Sequence, residues 1–169
     1  DLDWALVAHE LGYYAIPDSL PDTGYLAADL LTQLPDAAPL KKEWLPRIAE
    51  GEIRVSVGHP VNPLVSDAQA ADLLLLWHDD EIHALQPGQF ELKLNPSVDL
   101  SRRLYEVRWT PMPKSRVCDA DIGRGIWARV FDRGALCAAG QLVGLAQRML
   151  DLGVDYAAQR KQFGKPIGA

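Results

Sequence analysis

The sequence predicts a multidomain α and β chain: a helical N-terminal segment over residues 1–50, a small all-β unit over 51–120, and the first long helix of a further helical domain over 121–169. Three observations carry this reading. Apolar residues recur at three- and four-residue steps before residue 50. They alternate with polar ones in short runs from Ile53 to Trp109, and a proline-free helical pattern runs from Arg124 to about Arg160.

Trp4, Leu6, Val7, Leu11 and Tyr14 define a first amphipathic helix that Pro17 ends. A second helical stretch is expected from Gly24 to Leu34. A third runs from about Ala37 through Trp44 to Ile48, with Pro35, Pro39 and Pro46 as punctuation. Strands are expected at Ile53–Val57, Asp72–Trp77, Glu81–Leu85, Phe90–Leu94 and Leu104–Trp109. Gly58, Asp79-Asp80, Pro87-Gly88 and Asn95-Pro96 are the turns between them, and Asp79-Asp80 reads as a tight hairpin. Thr110-Pro111-Met112-Pro113 reads as an extended exit, because proline cannot donate to a central ladder. In the last segment Ile126, Val130, Val143, Ala146, Leu150, Val154 and Ala157 share helical spacing. At 1.5 Å per residue that helix is on the order of 55 Å long. Its apolar stripe needs partner helices, from another chain or from further C-terminal residues.

Composition removes several classes of function. The 169 residues hold 17 Lys+Arg against 23 Asp+Glu, a formal charge of -6, with 48% hydrophobic residues. That content builds a core, and the acidic balance gives no field for binding nucleic acid. The longest apolar run, Leu73-Leu74-Leu75-Leu76-Trp77, is far short of the roughly 20 residues of a membrane-spanning helix. Asp1-Leu2-Asp3-Trp4 is neither a signal peptide nor a native start, so both ends are expected to be cut. Cys118 and Cys137 lack metal-ligand spacing, and His9, His59, His78 and His83 are scattered, so no metal site is expected. Two isolated cysteines fit a reducing cytoplasm.

The most specific stretch lies late in the chain. Upstream are Phe131-Asp132-Arg133 and Ala138-Ala139-Gly140, then Gly144-Leu145-Ala146-Gln147-Arg148; downstream is Tyr156, then Arg160-Lys161-Gln162-Phe163-Gly164-Lys165-Pro166-Ile167. On the residues alone, Arg160 beside Gln162, Phe163 and a glycine offers charge, an amide and close backbone approach to a phosphate. An ordinary exposed C-terminal arginine favoured by the helix dipole is the reading the residues alone favour. The pattern resembles the first helix of the C-terminal domain of the acyl-CoA dehydrogenases, where Arg-x-x-Phe-Gly reaches across a dimer interface to FAD held by the neighbouring subunit. The order helix, β, long helix resembles that family's helical N-terminal domain, β-barrel middle domain and C-terminal helical bundle. The resemblance implies that the chain is a truncated relative, that Arg160, Gln162 and Phe163 are cofactor-binding, and that the cofactor is FAD. It further implies α,β-dehydrogenation of an acyl-CoA, with an electron-transfer flavoprotein as acceptor. The expected partner is a sister acyl-CoA dehydrogenase subunit in a homo- or hetero-oligomer, and heteromers of this kind in sterol catabolism suggest a lipid or steroid CoA thioester.

Two departures from the family pattern stand out. Gly58-His59-Pro60-Val61-Asn62-Pro63 replaces a much longer flavin-binding loop, and the chain resumes at Asp67-Ala68-Gln69-Ala70-Ala71-Asp72, similar to the strand that follows the flavin segment. The bracketing prolines favour a shortened turn over a site built on His59 and Asn62. The family's reaction removes an α-proton with a carboxylate base. One family position for that base falls at Gly134 and the other lies past Ala169, so no catalytic residue is assigned. Asp132 and Asp155 read as surface charges. The alternative expectation is a cofactor-free structural or assembly subunit of the same fold.

Overall fold

The computed structural model describes residues 1–35 and 38–168, and the chain divides into two compact units. Residues 18–134 form one unit; residues 1–17 with 135–169 form the other. A single helix, Ala120–Gln159, supplies residues to both.

The larger unit begins with a wide π-helical turn, Asp22–Ala27, that continues into a short α-helix, Ala28–Gln33. The expected start at Gly24 is therefore two residues late, which is the ordinary uncertainty of helix ends. The next helix, Pro39–Ala49, opens with Pro39, where a missing N–H costs nothing, and runs through Pro46 to end within a residue of the expected Ile48. The expected start near Ala37 falls outside the described residues.

The strands that follow are β1 (Val55–Gly58), β2 (Leu64–Ser66), β3 (Leu73–His78), β4 (Glu81–Leu85), β5 (Glu91–Asn95), β6 (Leu104–Arg108) and β7 (Arg116–Cys118). They pair as a four-stranded sheet in the order β1-β3-β4-β7 and a three-stranded sheet in the order β2-β6-β5. The expected barrel is thus two separate hydrogen-bonded sheets, with no closed ladder among the described residues. β3 explains its own composition. Leu73 and Leu75 point into a core with the helices, which includes Leu30, Leu31, Trp44, Ile126, Trp127 and Val130; Leu74 and Leu76 enter a second core with Val65, Leu85, Phe90 and Trp109. A strand buried on both faces reads as a continuous apolar run.

The hairpin expected at Asp79-Asp80 forms, with His78 paired to Glu81 and positive φ at both turn residues, 48° and 66°. That is the two-residue turn whose twist matches paired strands. β2 and β7 were not expected, because three residues carry too little periodicity to register.

The smaller unit packs α1 (Leu2–Tyr13) on the C-terminal part of the long helix. Backbones meet directly: a Cβ at Gly144 would overlap the His9 carbonyl oxygen. Tyr13 Oη donates to Asp151 at 2.8 Å, and the Arg148 guanidinium lies 5.3 Å from the Tyr13 ring centroid. The long helix keeps the expected apolar positions but divides them. Ile126 and Val130 are buried, whereas Val143, Leu150 and Val154 are exposed.

Candidate functional site

The long helix ends at Gln159, and the chain turns at once into a two-stranded hairpin, Lys161–Gln162 against Lys165–Pro166. The helix end supports it. Arg160 N–H donates to Tyr156 O at 2.8 Å, Ile167 N–H to Arg160 O at 2.8 Å, and Gly168 N–H to Ala157 O at 3.1 Å, so returning backbone satisfies carbonyls that the helix leaves open. The turn residues Phe163 and Gly164 both have positive φ, 52° and 82°. Gly164 adopts this freely; Phe163 does so at a cost of roughly 1–2 kcal/mol.

Of the three residues expected to bind a cofactor, the hairpin brings two together. With its amide oxygen turned toward Arg160, Gln162 accepts from the Arg160 guanidinium at 2.9 and 3.2 Å. Phe163 stands apart at the tip, its side chain fully exposed at 101% of its reference area. No carboxylate among the described residues forms an ion pair with Arg160. A guanidinium held by a neutral amide keeps its charge for an anion, and its planar donors suit phosphate oxygens.

The 58–63 segment is built differently. Val61 N–H donates to His59 Nδ1 at 3.2 Å, so the ring proton sits on Nε2, which donates to the Trp127 carbonyl at 3.2 Å. The ring packs 5.6 Å from both Trp127 and Phe131, and burial holds its pKa below the ordinary histidine value. Asn62 Oδ1 accepts from Leu64 N–H at 3.0 Å, closing a local turn. A cavity of about 170 Å³ beside them is lined by His59, Asn62, Trp77 and Trp109. Binding clefts for ligands of drug size run from about 300 Å³ upward, so this one is too small for a flavin.

Sequence reasoning passed over the cluster around His83. Its Nδ1 lies 2.9 Å from Ser115 Oγ and its Nε2 3.0 Å from Glu81 Oε2, while Arg116 donates to Glu81 at 2.6 Å. The trio has the composition of a hydrolytic triad but serves structure: Ser115 is buried and its hydroxyl lies 2.9 Å from the Met112 carbonyl. Burial lowers the His83 pKa; Arg116, as hydrogen-bond donor, lowers that of Glu81. Nothing in the isolated sequence marks this cluster, since β7 itself is too short to read.

The space around Gly134 is open. A Cβ at this position would have Leu26 Cδ1, at 3.9 Å, as its nearest neighbour, so a side chain is sterically admissible there and simply absent. Asp132 and Asp155 are exposed, as expected. Among the described residues no group of three or more His, Cys, Asp or Glu is placed to hold a metal ion, and no helix is long and apolar enough to cross a membrane.

Residues 122–169 match the family model of the acyl-CoA dehydrogenase C-terminal domain. The chain is related to the acyl-CoA dehydrogenases. It is 31% identical over 169 residues to acyl-CoA dehydrogenase IpdE2 of Mycolicibacterium smegmatis, covering 99% of this chain and 48% of that protein. It therefore spans about half the length of the curated relatives it matches. Among solved structures it superposes on a glutaryl-coenzyme A dehydrogenase complex with glutaryl-CoA (TM-score 0.82, 19% identity, 97% of this chain and 52% of that one). It also superposes on an FAD complex of PigA (0.81, 18%, 99% and 55%) and on the ChsE4-ChsE5 complex of Mycobacterium tuberculosis (0.80, 18%, 99% and 53%). At those identities the structural likeness shows the acyl-CoA dehydrogenase fold and no more.

Proposed function

We propose that this chain is part of a flavin-dependent acyl-CoA dehydrogenase that introduces an α,β double bond into a CoA thioester, and that its 160–163 hairpin completes an FAD site at a subunit interface. The observation that carries the reading is the contrast in donors. Arg160 has a charge that no carboxylate answers among the described residues, on a hairpin with an exposed aromatic tip, whereas both ring nitrogens of His59 and the Oδ1 of Asn62 are already hydrogen-bonded.

FAD, when bound, would accept the β-hydrogen as hydride. Arg160 and Gln162 fit its diphosphate: the guanidinium holds charge and orientation, and the amide fixes the guanidinium. Phe163 would lie against an apolar part of the cofactor or of the neighbouring chain. The α-proton must leave to a carboxylate base, and with glycine at 134 a residue elsewhere in the assembly holds that role. A heteromer with a sister acyl-CoA dehydrogenase subunit agrees with the likeness to the ChsE4-ChsE5 complex and with the exposed Val143, Leu150 and Val154. A lipid or steroid CoA thioester as substrate, an electron-transfer flavoprotein as acceptor and a cytoplasmic location complete the reading.

A cofactor-free assembly subunit is the second reading, favoured by Gly134 and by the closed 58–63 segment. The two separate on one variant. Arg160→Ala in the full-length protein, purified with its partner subunits, is expected to lower the flavin-to-protein absorbance ratio with an unchanged circular dichroism spectrum. An unchanged ratio would leave the assembly reading in place.

A further inference from the structure

We propose that His83 is an acid-released latch: neutral, it holds the 110–116 connection onto β4 through Ser115, and protonated, it lets that connection lift.

The latch sits at an irregularity in the sheet. Residues 110–116 lead from β6 into β7, and Pro111 and Pro113 remove two backbone donors from them. The ladder between β4 and β7 is bulged: Ile82 pairs with Cys118 but His83 with Arg116, which leaves Val117 as the extra residue. Ser115, just before the bulge, attaches the connection to β4 twice. Its carbonyl accepts from Ala84 N–H at 2.8 Å, and its hydroxyl lies 2.9 Å from His83 Nδ1. Both His83 and Ser115 are buried.

Hydrogen placement follows from the partners. Arg116 donates to Glu81 and holds its carboxyl ionised; a carboxylate only accepts, so the ring hydrogen of His83 sits on Nε2, 3.0 Å from Glu81 Oε2. Neutral His83 therefore presents a bare Nδ1, which accepts from the Ser115 hydroxyl. The Met112 carbonyl is still served, because Ser115 N–H donates to it at 3.0 Å. A proton added at Nδ1 removes that acceptor, turns the Ser115 hydroxyl toward Met112, and leaves a full positive charge on a buried ring.

The surrounding charges do not offset that cost. Glu81 favours the cation but already answers Arg116 at 2.6 Å, while Arg116 on β7 and His78 on β3, its ring 6.1 Å away, oppose it. Asp79 and Asp80 in the intervening turn are engaged by His78 and Arg124, and the Trp109 ring covers the imidazole from 5.0 Å. Burial is the largest influence, and the His83 pKa lies below the ordinary histidine value. A state in which the ring is hydrated binds the proton better, so acid favours lifting of the connection. Lifting opens a cavity of about 190 Å³ that Pro111, Met112 and Arg116 close against His78 and Glu81.

The test is deuterium exchange of the full-length protein with its copurifying subunits, read by mass spectrometry at pH 7.5, 6.5 and 5.5 and corrected for the intrinsic rate. Protection of peptides spanning 110–118 is expected to fall on acidification by up to about tenfold, the limit for one proton taken up from an open-state value of about 6.5. Peptides from 91–108 should keep theirs. His83→Gln should flatten the profile and His78→Gln should not. Ser115→Ala, which keeps the ring and deletes the contact, should show the acid level of protection already at pH 7.5. Should His83→Gln fail to fold, slow deuterium exchange at the carbon between the two ring nitrogens of His83 in the unaltered protein gives its titration directly, with a midpoint expected below about 6.5. Unchanged protection over 110–118, an equal loss over 91–108, a pH dependence that survives His83→Gln, or a His83 midpoint at or above about 6.5 would each overturn the proposal.

Discussion

The hairpin at 160–168 and the segment at 58–63 are both short polar connections, and they treat their polar atoms in opposite ways. In the hairpin, backbone hydrogen bonds are closed onto the helix end while Phe163 and Lys165 are exposed, and the Arg160 guanidinium bonds a neutral amide with no ion pair among the described residues. In the segment, His59 is bound at both ring nitrogens and Asn62 closes its own turn. The difference teaches that polarity alone does not mark a site. What matters is whether donors remain after the local fold is satisfied.

The largest effect is expected where the close packing of the first helix on the long helix is broken. Gly144→Val forces a side chain into the His9 backbone and should destabilise the protein by about 3 kcal/mol, seen in thermal unfolding, with loss of flavin as well. Arg160→Ala should leave thermal stability within about 0.5 kcal/mol. Its FAD affinity should fall by roughly tenfold or more, the value of about 1.5–3 kcal/mol for a charged hydrogen bond. His59→Ala should do the reverse, costing about 1–2 kcal/mol of stability, measured by urea unfolding, with flavin content unchanged. Gly164→Ala strains a φ of 82° and should cost about 1 kcal/mol, loosening FAD binding a few-fold through the turn alone.

The smallest effect concerns pH. Burial depresses the His59 pKa in the folded state, so the unfolded chain takes up its proton first as pH falls below about 6.5. This residue's contribution is therefore fully present above that pH and is lost between there and its lower folded value. His59→Gln should reduce the acid slope of stability in a series of unfolding curves from pH 8 to 5; His83, shifted in the same direction, retains the remainder.

Long, strongly patterned elements were legible in the sequence. The first helix, the Asp79-Asp80 hairpin and the long helix all form within a few residues of expectation, because their periodicity and turn chemistry are local. The division of the strands into two separate sheets instead of the expected barrel was not, since it depends on pairing among strands as short as β2 and β7. In the candidate site, the spacing from Tyr156 to Ile167 pointed to Arg160, Gln162 and Phe163 but not to how they are held. A Phe-Gly turn with positive φ at phenylalanine lacks the usual Asn-Gly signal, and the shared face of Gln162 and Lys165 exists only once the hairpin register is known. The bonding of His59 to the Trp127 carbonyl joins residues far apart in the chain, beyond the reach of any local pattern.

This chain is proposed to complete a flavin site whose remaining parts belong to another subunit. The most direct test is the visible absorbance spectrum of the full-length protein purified alone and then after co-expression with a sister subunit. The account predicts flavin absorbance in the co-expressed complex, absent from the chain alone and diminished by Arg160→Ala. Stoichiometric flavin on the chain alone, or a complex with no flavin at all, would contradict it.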